Sequence, residues 1–176
     1  MDMSQCHKVF RRCVSPRRFA TVAAACLLLV SSARADTLSG KVIAVADGDT
    51  LTVLVGQQPV KIRVSGIDAP EKKQPFGQRA KQGLSDCAFG KMVEVDWHKT
   101  DRYGRTIGKV ISGSADCGLL QIEHGLAWHY KAYAKDQTRQ DRIDYANAEN
   151  KARTKRIGLW SDPNPEPPWD FRHKTK

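Results

Sequence analysis

The residues from Lys61 to Glu71 combine the side chains that a phosphodiester-cleaving site needs, because one arginine and two acids fall within eleven positions. Apolar and polar residues alternate at the start of this stretch, which predicts a strand. Pro70 has no N–H to donate and disfavours helical dihedrals in the residue before it, so we expect the strand to reach Asp68 and stop there. Arg63 and the two acids would then lie close together, with a cation beside two carboxylates.

The acidic turn before this stretch supplies a further carboxylate. Asp47-Gly-Asp49 separates two runs rich in β-branched residues. An Asp-Gly pair in that setting is a strong hairpin signal, since both residues tolerate a positive φ. A second turn at residues 56–59 leads back to the strand that carries Arg63. Asp49 therefore begins the second strand, and we expect Asp49 and Asp68 at neighbouring strand ends.

The rest of the chain supplies the elements that must position these residues. The spacing of apolar residues predicts further strands over 91–97 and 106–111 and helices over 76–88, 119–126 and 137–156. The charged turn 101–105 should direct Arg105 toward whatever the sheet holds, and the proline-rich segment 163–169 should be extended. Five strands and about three helices favour an α+β fold built on a five-stranded OB-type barrel, and such barrels bind oligonucleotides on one face.

The first 35 residues have the features of an export signal. Basic residues at positions 11–18 precede an uncharged apolar run at 19–30, and Ala33-Arg-Ala35 matches the small-residue pattern before a cleavage site. The apolar run is shorter than the roughly 20 residues that span a membrane. We therefore expect cleavage before Asp36 and a periplasmic or secreted protein. Its moderately basic charge permits a polyanionic partner without identifying one.

Cysteine usage agrees with an oxidising compartment. Three of the five cysteines precede Asp36, which leaves Cys87 and Cys117. These two could form one disulfide that closes a loop of about 30 residues, or remain two buried free thiols. Because they lack partners at zinc-binding spacing, a zinc site is not expected.

Five motifs and their order resemble the staphylococcal nuclease (thermonuclease) family. They are Asp47-Gly-Asp-Thr50, Arg63, Asp68-Ala-Pro-Glu71, Asp101-Arg-Tyr-Gly-Arg105 and Gly158-Leu-Trp160. The resemblance covers about residues 38–161. It implies a five-stranded OB-type barrel with three helices, and a calcium-dependent phosphodiesterase that acts on DNA and RNA and leaves 3′-phosphorylated ends. The expected organisation is a signal peptide at 1–35, the nuclease domain at 36–161 and a proline-rich tail at 162–176.

The resemblance also implies roles for individual residues. The implied calcium ligands are oxygen atoms, from the carboxylates of Asp49 and Asp68 and the backbone carbonyl of Ala69, with Asp47 near the ion. The implied catalytic residues are Arg63, Glu71 and Arg105. The two arginines suit the phosphate because their planar fork donates two parallel hydrogen bonds. The implied substrate contacts are Thr50, Tyr103 and Tyr130.

Two questions stay open at this point. Glu71 can act as a general base toward the attacking water, or it can only orient that water. The chain can also be a non-catalytic nucleic-acid-binding OB-fold module, or an exported protein whose basic face binds cell-surface polymers. The presence of all five implied carboxylates and arginines favours the enzyme. We expect a monomer without a stable protein partner.

Overall fold

The computed structural model describes residues 36–174, so the predicted signal peptide lies outside the described residues. The strands are β1 (Asp36–Val45), β2 (Thr50–Val55), β3 (Gln58–Val64), β4 (Ile67–Asp68), β5 (Met92–Thr100), β6 (Thr106–Ser112), β7 (Ala115–Asp116) and β8 (Trp128–His129). The helices are α1 (Gly77–Ala88), α2 (Cys117–Glu123), α3 (Arg139–Thr154) and α4 (Pro168–Lys174), with short 3-10 turns at Lys131–Asp136 and Gly158–Ser161. Within this range, no helix has the length and apolar character needed to cross a membrane.

Five strands close into a barrel. They hydrogen-bond in the order β3, β2, β1, β5 and β6, and a parallel pairing between β3 and β6 completes the circuit. The other pairs around the barrel are antiparallel, as expected for strands joined by hairpins. Strand β7 continues the sheet beyond β6, while β4 and β8 form a separate two-stranded ladder. The closed five-stranded barrel with its helices confirms the predicted OB-type α+β fold.

The barrel interior and the first three helices share one apolar core. Alternate strand residues such as Leu51, Ile62 and Val95 are fully buried. Leu84 of α1 and Ile122 of α2 belong to the same buried cluster. Because burial of each such side chain contributes roughly 1.5–3 kcal/mol, the core holds the strand ends and the helices in fixed positions relative to one another.

The strand that carries Arg63 ends earlier than the sequence predicts. It stops at Val64, and Gly66 then adopts a positive φ of 75°. Asp68 lies instead in the short strand β4, which pairs with β8. Alternation of side chains does not reveal this interruption, because the turn depends on a left-handed backbone conformation that glycine adopts without strain.

Two helix predictions also need correction. The first predicted helix after the barrel, at 119–126, begins at Cys117 and ends at Glu123, because Gly125 adopts a positive φ of 61°. The side chain of Ile143, which we predicted in the apolar stripe of the following helix, is exposed. That helix is α3, and it buries Tyr145 and Ala152 toward the core as predicted.

The proline-rich tail lacks regular secondary structure, as predicted, only in its first half. Residues 162–167 form neither helix nor strand, but residues 168–174 form helix α4, which the sequence analysis did not predict. Proline is tolerated in the first helical turn, where its missing N–H leaves no hydrogen bond unmade, so Pro168 starts this helix. The Trp169 ring packs 6.2 Å from the ring of Trp128 and 5.6 Å from that of Tyr130. These contacts hold α4 on the body of the protein.

Cys87 and Cys117 form a disulfide. The bond joins α1 to the start of α2, with the two Cα atoms 5.8 Å apart and the two residues 30 positions apart in sequence. The structure thus resolves the choice that the sequence left open between a disulfide and two free thiols. The covalent link fixes α1 against α2 in addition to their apolar packing.

Replacing both cysteines by alanine should lower the free energy of unfolding by about 3 kcal/mol, because a closed loop of this length restricts the unfolded chain. Urea unfolding of the variant and of the wild type, each with and without reductant, measures the effect. The urea midpoint of reduced wild type should equal that of the variant, and both should be lower than that of oxidised wild type. Identical midpoints for oxidised and reduced wild type would contradict the expected stabilisation.

Candidate active site

Asp49, Asp68 and Arg63 form the centre of the site. Nη2 of Arg63 lies 3.1 Å from Oδ2 of Asp49 and 2.8 Å from Oδ1 of Asp68. Nη1 of the same guanidinium donates to the backbone carbonyls of Val64 and Ile67, both at 3.0 Å. The arginine is therefore oriented by backbone oxygens on one side, and it presents its second nitrogen to two carboxylates on the other.

Strand register brings these three residues together. Thr50, the first residue of β2, pairs with Arg63 on β3, so Asp49 enters the strand beside the arginine. The backbone N–H of Val64 donates to the carbonyl of Asp49, and the N–H of Ala69 donates to Oδ2 of Asp49, both at 2.8 Å. The predicted neighbourhood of Asp49 and Asp68 is thus observed, with the backbone of Ala69 beside them.

Burial makes the charge on Asp49 costly. Desolvation raises the pKa of Asp49 to about 7; the Arg63 charge opposes the rise, and the carboxylates of Asp47 and Asp68 add to it. Thr50, a predicted substrate contact, is buried, and its hydroxyl lies 3.1 Å from Oδ1 of Asp49. A cation that enters beside Asp49 and Asp68 would therefore relieve a destabilising concentration of negative charge.

A buried amide holds the acidic turn against α1. Nε2 of Gln121 donates to the carbonyls of Gly48 and Ala80, at 2.7 and 2.8 Å. Both acceptors belong to buried residues, so removal of the amide would leave two buried carbonyls without this partner. Gln121 lies on α2 and was not singled out by sequence reasoning, because a glutamine in an amphipathic helix carries no signal of such a role.

Glu71 lies at the edge of the site, and its partner is in the tail. Its carboxylate is partly exposed, and Oε1 accepts a hydrogen bond of 2.8 Å from Nη1 of Arg172 on α4. The same guanidinium contacts both oxygens of Asp68, at 3.2 and 2.8 Å. Sequence reasoning missed Arg172, since an arginine more than 100 residues away in a proline-rich tail offers no local pattern that points to this site.

Arg105 and Tyr103 lie on the turn after β5. Nε of Arg105 donates to Oδ2 of Asp101 at 2.7 Å, and the Arg105 guanidinium lies 5.5 Å from the centre of the Tyr103 ring. Thr106, the next residue, pairs with Ile62, the neighbour of Arg63 on β3. Register therefore puts Arg105 at the same end of the barrel as Arg63, although its ion pair is with Asp101 and not with the central carboxylates.

Tyr130, another predicted substrate contact, lies between the tail and the site. Burial, and next the nearby Asp68 carboxylate, raise the pKa of Tyr130. Its ring is 5.3 Å from that of Tyr133 as well as close to Trp169. Tyr103, in contrast, is largely exposed. The structure thus gives the two tyrosines different surroundings, and their substrate roles stay predictions.

The oxygen atoms at the centre suit a hard divalent cation. Oδ2 of Asp49 and Oδ1 of Asp68 already converge on a single cationic nitrogen, and carboxylate oxygen is the ligand type that calcium prefers. Among residues 36–174, no group of three or more His, Cys, Asp and Glu side chains is arranged to hold a metal. The proposed set contains only two such side chains, Asp49 and Asp68, together with one backbone carbonyl. It fits calcium if water molecules supply the remaining ligands.

Comparison with known proteins agrees with this fold. A family model described as "Staphylococcal nuclease homologue" matches residues 61–162. Micrococcal nuclease of Shigella flexneri is 40% identical over 164 residues, which cover 88% of this chain and 92% of that protein. Protein ParB of Escherichia coli is 40% identical over 162 residues, which cover 87% and 89%. An uncharacterized endonuclease of Haemophilus influenzae is 40% identical over 137 residues, which cover 77% and 74%.

Fold and site together define an OB-type barrel with buried carboxylates and an arginine at one set of strand ends. The chain belongs to the staphylococcal nuclease family. The matched segment includes Arg63, Asp68, Glu71 and Arg105, and it ends before α4, so the family model does not cover Arg172.

Proposed function

We propose that this protein is a calcium-dependent nuclease that hydrolyses DNA and RNA with little sequence specificity and leaves 3′-phosphorylated ends. The observation that carries the proposal is the convergence of Asp49 and Asp68 on one nitrogen of Arg63, with Glu71 three residues beyond Asp68. Relatives named as nuclease and endonuclease support nuclease activity for this chain. Calcium dependence and the product ends rest on the family resemblance and on the oxygen donors of the site.

Each residue of the site has a separate role in the proposed cleavage reaction. Calcium, held by Asp49, Asp68 and the carbonyl of Ala69, would supply positive charge that polarises a phosphoryl oxygen. Arg63 is held by two backbone carbonyls, so its other nitrogen remains oriented when the carboxylates turn to the metal, and it can donate to a phosphate oxygen. Arg105 binds a further phosphate oxygen from the neighbouring turn, and Glu71 orients or deprotonates the attacking water.

The proposed enzyme acts outside the cytoplasm. The N-terminal export signal is a sequence-based expectation, and the disulfide between Cys87 and Cys117 is compatible with an oxidising compartment. Mass spectrometry of protein purified from the periplasm or the medium should give Asp36 as the first residue. Retention of the first 35 residues would overturn this part of the proposal.

Digestion of single- and double-stranded DNA and of RNA tests the activity. The purified protein is incubated with each substrate in calcium or in chelator, beside the double variant Glu71→Gln, Arg63→Ala. Cleavage that requires calcium and collapses in the variant supports the nuclease, and end-labelling shows where the phosphate remains. Intact DNA in calcium, together with retardation of that DNA in a gel, would instead indicate a non-catalytic nucleic-acid-binding module.

A further inference from the structure

The C-terminal helix places a second guanidinium on the carboxylates of the site. Nη1 and Nη2 of Arg172 contact the two oxygens of Asp68 as a fork, and Nη1 also contacts Glu71. Asp68 is only 1% exposed in its side chain. A charge-assisted, bidentate pair with a buried carboxylate is a strong and directional contact. It therefore fixes the position of the Arg172 guanidinium at the site.

Two further contacts attach the tail to the body of the protein. Gln74 is buried, and its Nε2 donates to the carbonyl of Glu166 at 2.6 Å, while its Oε1 accepts from the N–H of Glu71 at 3.1 Å. Trp169 packs on Trp128 and Tyr130. The tail is therefore attached by one polar and one aromatic contact shortly before Arg172 in sequence, and these contacts raise the local concentration of its guanidinium at the site.

The guanidinium of Arg172 and a divalent cation would both need the carboxylate oxygens of Asp68. The arginine satisfies both oxygens of that carboxylate, and a dication on the same oxygens would meet its positive charge within a few ångströms. Arg63 differs, because two backbone carbonyls hold its Nη1. The described side-chain hydrogen bonds of Arg172 all go to Asp68 and Glu71, and its side chain is 41% exposed, so it can leave toward solvent.

We propose that Arg172 competes with calcium for Asp68 and so sets the calcium affinity of the site. The inference rests on the proposed function, because it takes calcium as the metal. Metal binding then requires the tail to release Asp68. The ion concentration at which the enzyme works is thus set by a contact between the barrel and its own C-terminus.

Calcium titration in the absence of nucleic acid tests this inference directly. Isothermal titration calorimetry compares the purified wild type with Arg172→Ala, Arg172→Lys and the control Lys174→Ala.

Arg172→Ala should bind calcium about threefold to tenfold more tightly, because a competing charge is removed from a partly screened position. Arg172→Lys should lie between wild type and Arg172→Ala, since lysine keeps the charge and loses the fork. Lys174→Ala removes the same charge from the same helix, where its partner is Glu166, and should stay within about twofold of wild type.

A second variant weakens the contact of Arg172 with the site without changing Arg172 itself. Trp169→Ala removes the packing of the tail on Trp128 and Tyr130, so it should also tighten calcium binding while Arg172 is intact. Thermal unfolding in chelator shows which variants are folded. Calcium affinity in folded Arg172→Ala or Trp169→Ala that equals or falls below that of wild type would overturn the inference. Failure of the proposed function is distinct, because the wild type itself would then neither bind calcium nor cleave DNA.

Discussion

Glu71→Gln should lower kcat for DNA cleavage by about 10²- to 10⁴-fold at saturating calcium, because the amide cannot accept a proton from the attacking water. Glutamine retains an oxygen that can accept the hydrogen bond from Arg172, so the contact between the tail and the site should persist. The side chain is 38% exposed, so the substitution should leave the fold unaffected. Single-turnover cleavage of a labelled oligonucleotide measures the loss.

Two measurements separate this loss from a general defect. Calcium affinity should change far less than kcat, since Glu71 is not among the implied ligands. Glu94→Gln provides the matched control, because Glu94 is an exposed carboxylate on β5 outside the site. The control should cleave at the rate of wild type. A decrease of less than about tenfold in Glu71→Gln would exclude proton transfer by this residue and leave it the weaker role of orienting water.

Asp49→Asn should weaken calcium binding by about 100-fold or more and abolish cleavage at calcium concentrations that saturate the wild type, because the metal loses one of two charged ligands. Asparagine is close in shape to aspartate, and its oxygen can still accept the N–H of Ala69. Arg63 keeps Asp68 and two backbone carbonyls as partners. At pH 5, where most of the buried Asp49 is protonated, the free energy of unfolding in chelator should therefore change by less than about 2 kcal/mol.

The same substitution should alter the pH dependence of stability in chelator. The pKa of Asp49 is raised from 3.8 to about 7 by burial, so the folded protein binds more protons than the unfolded chain between these values. Stability contributed by the protonated form is complete below pH 4 and is lost as the pH rises through 7. Asparagine cannot lose a proton, so the variant should gain stability relative to wild type as the pH rises, measured by urea unfolding from pH 5 to pH 8.

Asp47→Asn is the control for the calcium affinity of Asp49→Asn. Asp47 lies in the same turn, and its Oδ1 accepts the N–H of Asp49, a bond that an asparagine oxygen can also accept. We expect a loss of calcium affinity of less than about tenfold, in keeping with a position near the ion and not on it. Equal losses in the two variants would show that the negative charge of the turn matters as a whole, and would remove Asp49 from the set of direct ligands.

Local sequence determined the β2–β3 hairpin and the centre of the site. The Asp-Gly turn places Asp49 at the start of β2, and the hairpin that follows returns the chain so that Arg63 pairs with Thr50. Asp68 follows Arg63 by only five positions, so short loops suffice to bring all three together. These contacts were predictable because short hairpin loops and side-chain alternation act over a few residues. The conformation of the first turn was not predicted correctly, because neither Asp47 nor Gly48 adopts the positive φ that an Asp-Gly hairpin turn favours.

Only the tertiary structure decided which distant residues complete the site. Gln121 reaches the acidic turn across α1, and Arg172 reaches Asp68 from 104 positions away. The disulfide between Cys87 and Cys117 likewise needed two helices to meet. A hydrogen bond or ion pair of this kind depends on where closed strands and packed helices put two side chains. No period or motif along the chain encodes that distance, because it is set by the packing of the whole core.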